Sequence, residues 1–124
     1  MNFKYTTEEL KKLAEGLADK TEAPFSILLT GDLGAGKTTF AKLFIGPLLI
    51  DKTQKVTSPT FNIIQIYETK KGPIWHADLY RLKNKEELFE LGLIEAMSDS
   101  ICLIEWPLLL RDHIEIPKST EIHL

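Results

Sequence analysis

Residues 31–38 read Gly31-Asp32-Leu33-Gly34-Ala35-Gly36-Lys37-Thr38, a complete G-x-x-x-x-G-K-[ST] phosphate-binding loop. An apolar run of strand length, residues 25–30, precedes the loop, and residues 39–45 continue with the pattern of a buried helix. Glycines allow successive backbone N–H groups to turn inward around a phosphate, and the helix N-terminus adds partial positive charge there. The stretch therefore predicts a strand, a loop and a helix that together bind a nucleoside triphosphate.

The composition is typical of one soluble globular domain over residues 1–124, with 44% hydrophobic and 27% charged residues. The formal net charge of −3 argues against the broad positive field that drives non-specific nucleic-acid binding. Cys102 is the single cysteine, which excludes an intrachain disulfide, and its apolar neighbours favour a small buried hydrophobe. No stretch resembles a signal peptide or a membrane span. We therefore expect a cytoplasmic protein that does not contact the membrane.

Capping and periodicity predict the elements around the loop. Thr6 and Glu9 fit a capping box that begins an amphipathic helix over residues 6–19. Gly46-Pro47 is expected to kink or end the helix after the loop near Ile45. The other predicted elements are a hairpin of strands 62–67 and 74–78, a helical segment 84–97 interrupted at Gly92, an apolar strand 100–104 and a weak strand 114–124. This order predicts an α/β fold, a P-loop NTPase-like three-layer sandwich with a central, mostly parallel β-sheet.

The loop and its helix supply the predicted phosphate-binding groups. Lys37 is expected to reach the β- and γ-phosphates, the Thr38 hydroxyl to ligate Mg²⁺, and Thr39 to add a phosphate hydrogen bond. The predicted cofactor-binding residues are Gly34, Ala35, Gly36, Lys37, Thr38 and Thr39.

Such sites also need an acid on a second strand to hold or orient the metal. Glu105 ends the most apolar strand, and Asp78 ends another with its side chain on the same strand face as that of His76. We expect Glu105 to bind Mg²⁺ directly or through water, and Asp78 to help place the metal or the attacking water. The plain alternative for each acid is a solvated carboxylate. His76 is interpreted as a packing residue of its strand, with a proton carrier as the alternative, and Thr60 either senses the γ-phosphate or lies in an ordinary turn.

Five segments occur in an order that resembles the TsaE (YjeE) family, the bacterial ATPases of tRNA threonylcarbamoyladenosine biosynthesis. They are residues 31–39, Val56–Phe61, His76–Leu82, Glu95 and Ile104–Pro107. The loop alone is common to many ATPases, whereas S-P-T-F, H-x-D-x-Y-R-L and E-W-P together are specific. The similarity extends over roughly residues 6–120.

The resemblance implies an Mg²⁺-dependent ATPase that works with the TsaB and TsaD proteins, so that tRNA is engaged indirectly through the assembly. The assembly places a threonylcarbamoyl group on the adenosine beside the anticodon, and the TsaE-like subunit hydrolyses ATP without transferring the group itself. Carried over to this sequence, Lys37, Thr38 and Thr39 bind phosphate and Mg²⁺, Asp78 and Glu105 are functional acids, Thr60 belongs to a switch-like loop, and Trp106 lies beside the site.

The sequence departs from the family pattern at three places. Leu108 stands where relatives usually have a further acid after E-W-P, and Gly46-Pro47 falls inside what is normally an uninterrupted helix. Relatives usually continue beyond the position of Leu124 through another strand and a basic tail, so we expect this sequence to be either a shorter natural version of the domain or a truncated piece of it.

Two other functions compete with a partner-dependent ATPase. A small P-loop kinase needs arginines over the transferred phosphoryl group, and the sequence has only Arg81 and Arg111. A nucleotide-dependent binding module with negligible hydrolysis uses ATP only to order the loop of residues 58–61. A GTPase is disfavoured because no guanine-reading N-K-x-D segment occurs.

Overall fold

The structure, a computed structural model, describes residues 6–31, 35–59, 62–113, 116 and 118–124. The predictions for Gly34 and Thr60 lie outside these residues. The helices are α1 (Thr7–Lys20), α2 (Ala35–Ile45), α3 (Lys85–Glu90), α4 (Leu93–Ala96) and α5 (Leu108–His113). The strands are β1 (Phe25–Thr30), β2 (Ile64–Thr69), β3 (Gly72–Asp78), β4 (Ile101–Glu105) and β5 (Ser119–His123).

The predicted capping box begins α1. The Thr6 hydroxyl oxygen accepts a hydrogen bond from the Glu9 backbone N–H at 3.1 Å, while the same hydroxyl donates to Glu9 Oε1 at 2.9 Å. This exchange satisfies a backbone donor that the first turn of a helix leaves without a partner. The prediction of a helix over residues 6–19 is therefore confirmed to within one residue at each end.

Glycine and proline end the helices where the sequence predicts. Helix α2 stops at Ile45, and Gly46–Leu48 form a single 3₁₀ turn with the proline near its start. The helical segment 84–97 is divided into α3 and α4 by Gly92, whose φ of 77° lies in the left-handed region. Glycine adopts that conformation without steric cost.

Within the described residues the five strands form one sheet in the order β2-β3-β4-β1-β5. The last four strands of that order are mutually parallel, and β2 is antiparallel to β3. Every residue of β4 is buried, which confirms the predicted central strand. This sheet confirms the α/β fold with a central, mostly parallel β-sheet.

The β2–β3 hairpin is present, but its strands are shifted from the predicted ranges. Strand β2 begins at Ile64 rather than at residue 62, after a residue with φ of 67°, Ile63. Strand β3 begins at Gly72 rather than at residue 74. The turn is tight because the Thr69 hydroxyl donates to the Gly72 carbonyl at 2.6 Å and accepts from the Lys71 N–H at 3.1 Å.

Two apolar clusters cover the two faces of the sheet. One cluster packs α1 and α2 against residues such as Ile27, Ile74 and Leu103. The other packs α3, α4 and α5 against the opposite face, where Leu28, Cys102 and Ile104 lie. The three layers are therefore helices, sheet and helices, as predicted, and this is a P-loop NTPase-like arrangement.

Helix α5, which follows Pro107, is not predicted by the sequence, because its six residues are too few to display helical periodicity. The predicted strand 114–124 is confirmed over Ser119–His123, whereas residues 114, 115 and 117 lie outside the described residues. Among the described residues, no helix combines the length and the apolar character that crossing a membrane requires.

Candidate nucleotide-binding site

Lys37 lies in the first turn of α2, which follows the glycine loop at the carboxyl end of β1. Its side chain is buried, with the residue only 2% exposed, and its ammonium donates a hydrogen bond to the Gly31 carbonyl at 3.2 Å. A buried ammonium needs several compensating contacts. The lysine is therefore held close to the loop by the loop's own backbone.

The Trp106 ring provides a second contact for this ammonium. Lys37 Nζ lies 4.3 Å from the ring centroid, within the range of a cation–π interaction. The Tyr80 ring packs on the Trp106 ring, and the two ring centroids are 4.9 Å apart. Trp106 therefore lies beside the lysine, as the family resemblance implies.

Trp106 adopts a backbone conformation that is rare for a bulky side chain. Its φ is 56°, immediately after the last residue of β4. Such a conformation costs on the order of 1–3 kcal/mol and is found mostly at functional sites. The residue is held there partly by its N–H, which donates to the Leu29 carbonyl of β1 at 3.3 Å.

The two predicted acids are direct neighbours on adjacent parallel strands. Asp78 of β3 and Glu105 of β4 are register partners, so their side chains leave the same face of the sheet. That face is the one covered by α1 and α2. Both acids are buried, at 8% and 4% exposure, so the alternative of a solvated strand-end carboxylate is wrong for each.

Glu105 forms a hydrogen bond with His76 that the sequence does not predict. His76 Nε2 and Glu105 Oε2 are 2.6 Å apart, and the histidine is completely buried. His76 does pack within its strand as predicted, but the packing interpretation is incomplete because it omits this polar contact. The one available signal was the H-x-D spacing, which puts His76 and Asp78 on one strand face.

The structure brings most of the predicted phosphate-binding residues to one place. Helix α2 begins with Ala35, and the next residue, Gly36, is exposed. The half-buried Thr38 and Thr39 come directly after Lys37. Gly34 and Thr60 lie outside the described residues. The remaining predicted residues therefore surround the carboxyl ends of β1, β3 and β4.

The end of β5 also contacts the loop, which no sequence pattern predicted. The Leu124 N–H donates to the Thr30 carbonyl at 2.9 Å, and the Thr30 hydroxyl lies 3.0 Å from His123 Nδ1. A Cβ atom on Gly31 would lie 2.3 Å from the Leu124 carbonyl oxygen. Gly31, with φ of 138°, is therefore needed both for its conformation and for this close approach.

The donors at this site suit a hard cation held together with phosphates. The part of the chain that the structure describes has no cluster of three or more His, Cys, Asp or Glu side chains able to hold a metal ion by themselves. The Thr38 hydroxyl and the Glu105 carboxylate are oxygen donors. Mg²⁺ commonly takes one or two protein oxygens and completes its shell with phosphate and water, so these residues fit it.

The sequence is similar to those of known proteins. Residues 5–124 match the family described as threonylcarbamoyl adenosine biosynthesis protein TsaE. The chain is 44% identical over 117 residues to the tRNA threonylcarbamoyladenosine biosynthesis protein TsaE of Rickettsia felis, which covers 94% of this chain and 67% of that protein. For the protein of the same name from Bacillus subtilis the identity is 41% over 108 residues, covering 86% and 66%.

The fold is similar to a solved structure as well. The crystal structure of Bacillus subtilis YdiB matches with a TM-score of 0.64 and 31% identity, covering 97% of this chain and 73% of the other. The chain spans about two thirds of the length of the Rickettsia felis and Bacillus subtilis relatives. A family match over residues 5–124 together with these identities shows that the chain belongs to the TsaE family of threonylcarbamoyl adenosine biosynthesis proteins.

Proposed function

We propose that this chain binds and hydrolyses ATP and thereby supports the TsaB–TsaD machinery, which installs threonylcarbamoyl on the adenosine beside the tRNA anticodon. The main support for this proposal is the position of Lys37. Its buried ammonium lies in the first turn of α2, at the edge of the sheet where Asp78 and Glu105 end neighbouring strands. A phosphate-loop lysine opposite strand-end acids is the arrangement that nucleotide hydrolysis requires.

In this proposal Lys37 leaves the Gly31 carbonyl and the Trp106 ring to bind the β- and γ-phosphates. The backbone N–H groups of Gly34, Ala35 and Gly36 bind phosphate oxygens, and Thr39 adds a hydroxyl. Thr38 and Glu105 would hold Mg²⁺, Glu105 directly or through water. When bound, Mg²⁺ neutralises charge that develops on the phosphates. Asp78 orients the metal shell or the attacking water.

Hydrolysis by the isolated chain is expected to be slow. The sequence has two arginines, Arg81 and Arg111, and P-loop proteins that lack an arginine over the γ-phosphate turn over slowly. Partner proteins that order the site are therefore expected to raise the rate. We propose TsaB and TsaD as these partners, with tRNA reached through the assembly and the cytoplasm as the location.

Exposed apolar groups beside the site support a partner that docks there. Tyr80, which packs on Trp106, is 56% exposed, and Leu108, two residues after Trp106, is 68% exposed. Large exposed apolar side chains near a polar site are typical of protein interfaces. Docking at this position would link partner binding to the residues around Lys37.

The direct test measures phosphate release from ATP by the chain alone, with TsaB and TsaD, and with tRNA added. The proposal predicts weak release alone and a clear increase with the partners. Lys37→Ala should abolish the increase, whereas Lys42→Ala, an exposed lysine further along the same helix, should leave it unchanged.

The competing functions give different results in the same assay. A binding module would associate with TsaB and TsaD only when ATP is present, while phosphate release stayed at the Lys37→Ala level. A small-molecule kinase would form ADP rapidly from an acceptor without any protein partner. Either result would replace the proposed ATPase function.

The roles of the two acids are separated by their dependence on Mg²⁺. Glu105→Gln should raise the Mg²⁺ concentration needed for half-maximal hydrolysis, because the variant loses a charged metal-binding oxygen. Asp78→Asn should lower the maximal rate with a smaller change in that concentration. The reverse pattern would exchange the two assignments.

A further inference from the structure

His76 is buried in contact with the proposed metal-binding Glu105, and the phosphate and metal roles proposed above give the histidine no task. Nε2 and Oε2 are 2.6 Å apart, and the two side chains are 0% and 5% exposed. Glu105 has no other side-chain partner among the described residues. A contact this short and this well buried fixes the orientation of both groups.

The strand register shows how far the His76–Glu105 contact extends along the sheet. The Cα of Glu105 is paired with that of Asp78, whereas His76 is paired with Leu103. His76 therefore lies one pleat back along the sheet, about 6.6 Å from the level of Glu105. The contact therefore spans one pleat along the sheet and joins Glu105, at the end of β4, to a residue inside β3.

Asp78 is oriented by a different donor. Its Oδ1 accepts a hydrogen bond from the Tyr80 backbone N–H at 3.0 Å, in the segment that follows β3. Glu105 thus bonds to a side chain of the sheet, and Asp78 bonds to the backbone of the segment that follows its strand. The two neighbouring buried carboxylates therefore have different hydrogen-bond partners.

We propose that His76 is a positioning residue that holds Glu105 Oε2 through its Nε2–H, so that the other oxygen, Oε1, is presented to the Mg²⁺ shell. This inference rests on the proposed Mg²⁺–ATP site. A carboxylate can only accept hydrogen bonds, so the contact requires the histidine hydrogen on Nε2. Metal-site ligands are commonly oriented by such partners, and loss of the partner weakens metal affinity about 10- to 100-fold.

The test compares His76→Leu and His76→Gln by Mg²⁺ titration of fluorescent ATP-analogue binding and of ATP hydrolysis. Leucine fills the site without a donor, whereas the glutamine amide restores an N–H at nearly the reach of Nε2. His76→Leu should raise the half-saturating Mg²⁺ concentration about 10- to 100-fold, and His76→Gln should recover most of the loss. Trp75→Leu, the preceding residue of β3 on the opposite face, is the control for disturbed packing and should leave the Mg²⁺ concentration unchanged.

A double variant tests whether His76 acts through Glu105. In the Glu105→Gln background the carboxylate is gone, so His76→Leu should cause no further shift of the Mg²⁺ requirement. An unchanged Mg²⁺ requirement in His76→Leu overturns the inference, and so does an equal loss in the leucine and glutamine variants. Additive shifts in the double variant also overturn it.

A measurement on the unsubstituted protein does not depend on whether the variants fold. Nitrogen NMR of the histidine rings should find His76 with its hydrogen on Nε2, before and after addition of Mg²⁺ and ATP. A hydrogen on Nδ1 alone would overturn the inference. Absence of Mg²⁺-dependent ATP binding in the unsubstituted chain would contradict both the proposed function and the role of His76. Normal binding in the unsubstituted chain together with an unaffected His76→Leu variant would contradict only the role of His76.

Discussion

The Nζ atom of Lys37 lies 4.3 Å from the centre of the Trp106 ring, joining the first turn of α2 to the residue that follows β4. The contact links the proposed phosphate-binding lysine to the strand that carries Glu105. Phosphate is a stronger partner for an ammonium than an aromatic face. Binding of a nucleotide should therefore draw the lysine away from the ring.

This contact predicts that Trp106 reports nucleotide binding through its fluorescence. The protein has two tryptophans, and Trp75 lies among the residues packed on the opposite face of the sheet. Trp75→Phe should keep an emission change on addition of Mg²⁺ and ATP, whereas Trp106→Phe should lose it. A change that persists in Trp106→Phe would show that the ring does not sense the lysine.

Gly31 is predicted to tolerate no side chain. An added Cβ would lie 2.3 Å from the Leu124 carbonyl oxygen, and the φ of 138° is unfavourable for other residues. Gly31→Ala should therefore lower the free energy of unfolding by about 1–3 kcal/mol, measured by urea denaturation. Gly16→Ala is the matched control, because a Cβ there meets no atom within 4 Å and alanine favours α1 by about 0.5–1 kcal/mol. Equal effects of the two substitutions would contradict the contact with Leu124.

Cys102 is predicted to be unreactive in the folded protein. Burial raises the pKa of its thiol to about 12, with a smaller contribution from the nearby Asp99 charge. Thiol labelling at pH 8 should be slow in buffer and rapid in urea, since the thiolate is the reactive form. Fast labelling of the folded protein would contradict the burial.

The same shift predicts a loss of stability at high pH. Between an unfolded value near 9 and a folded value of about 12, the unfolded thiol releases its proton while the folded thiol retains it. The contribution of this group to stability is complete below about pH 9 and falls by about 1.4 kcal/mol per pH unit above it. Cys102→Ala should remove this part of the slope, and an identical slope in the variant would refute the assignment.

The sequence predicted the parts of the fold that depend on local chemistry. The capping box at Thr6, the stop at Gly46-Pro47 and the break at Gly92 all act over a few residues, and all three are present. The apolar run before Glu105 likewise indicated a strand buried on both faces. Helix α5 was missed because six residues leave too little periodicity.

The sequence indicates which strand ends and which helix turn carry the candidate residues, but not the contacts among those residues. Lys37, Asp78 and Glu105 do come to one edge of the sheet, because carboxyl ends of parallel strands meet there. The His76–Glu105 contact depends on the register of β3 against β4, and the Leu124 contact on the parallel pairing of β5 with β1. Neither register is encoded by residues that are close in sequence, so neither contact could be predicted.

Titration calorimetry of Lys37→Ala with Mg²⁺ and ATP shows whether this loop is the nucleotide site. Loss of a charge-assisted hydrogen bond costs about 1.5–3 kcal/mol, so the dissociation constant should rise roughly 10- to 150-fold. Lys42→Ala, the exposed lysine further along α2, should bind as the unsubstituted protein does. An affinity unchanged in Lys37→Ala would contradict the assignment of this loop as the nucleotide site.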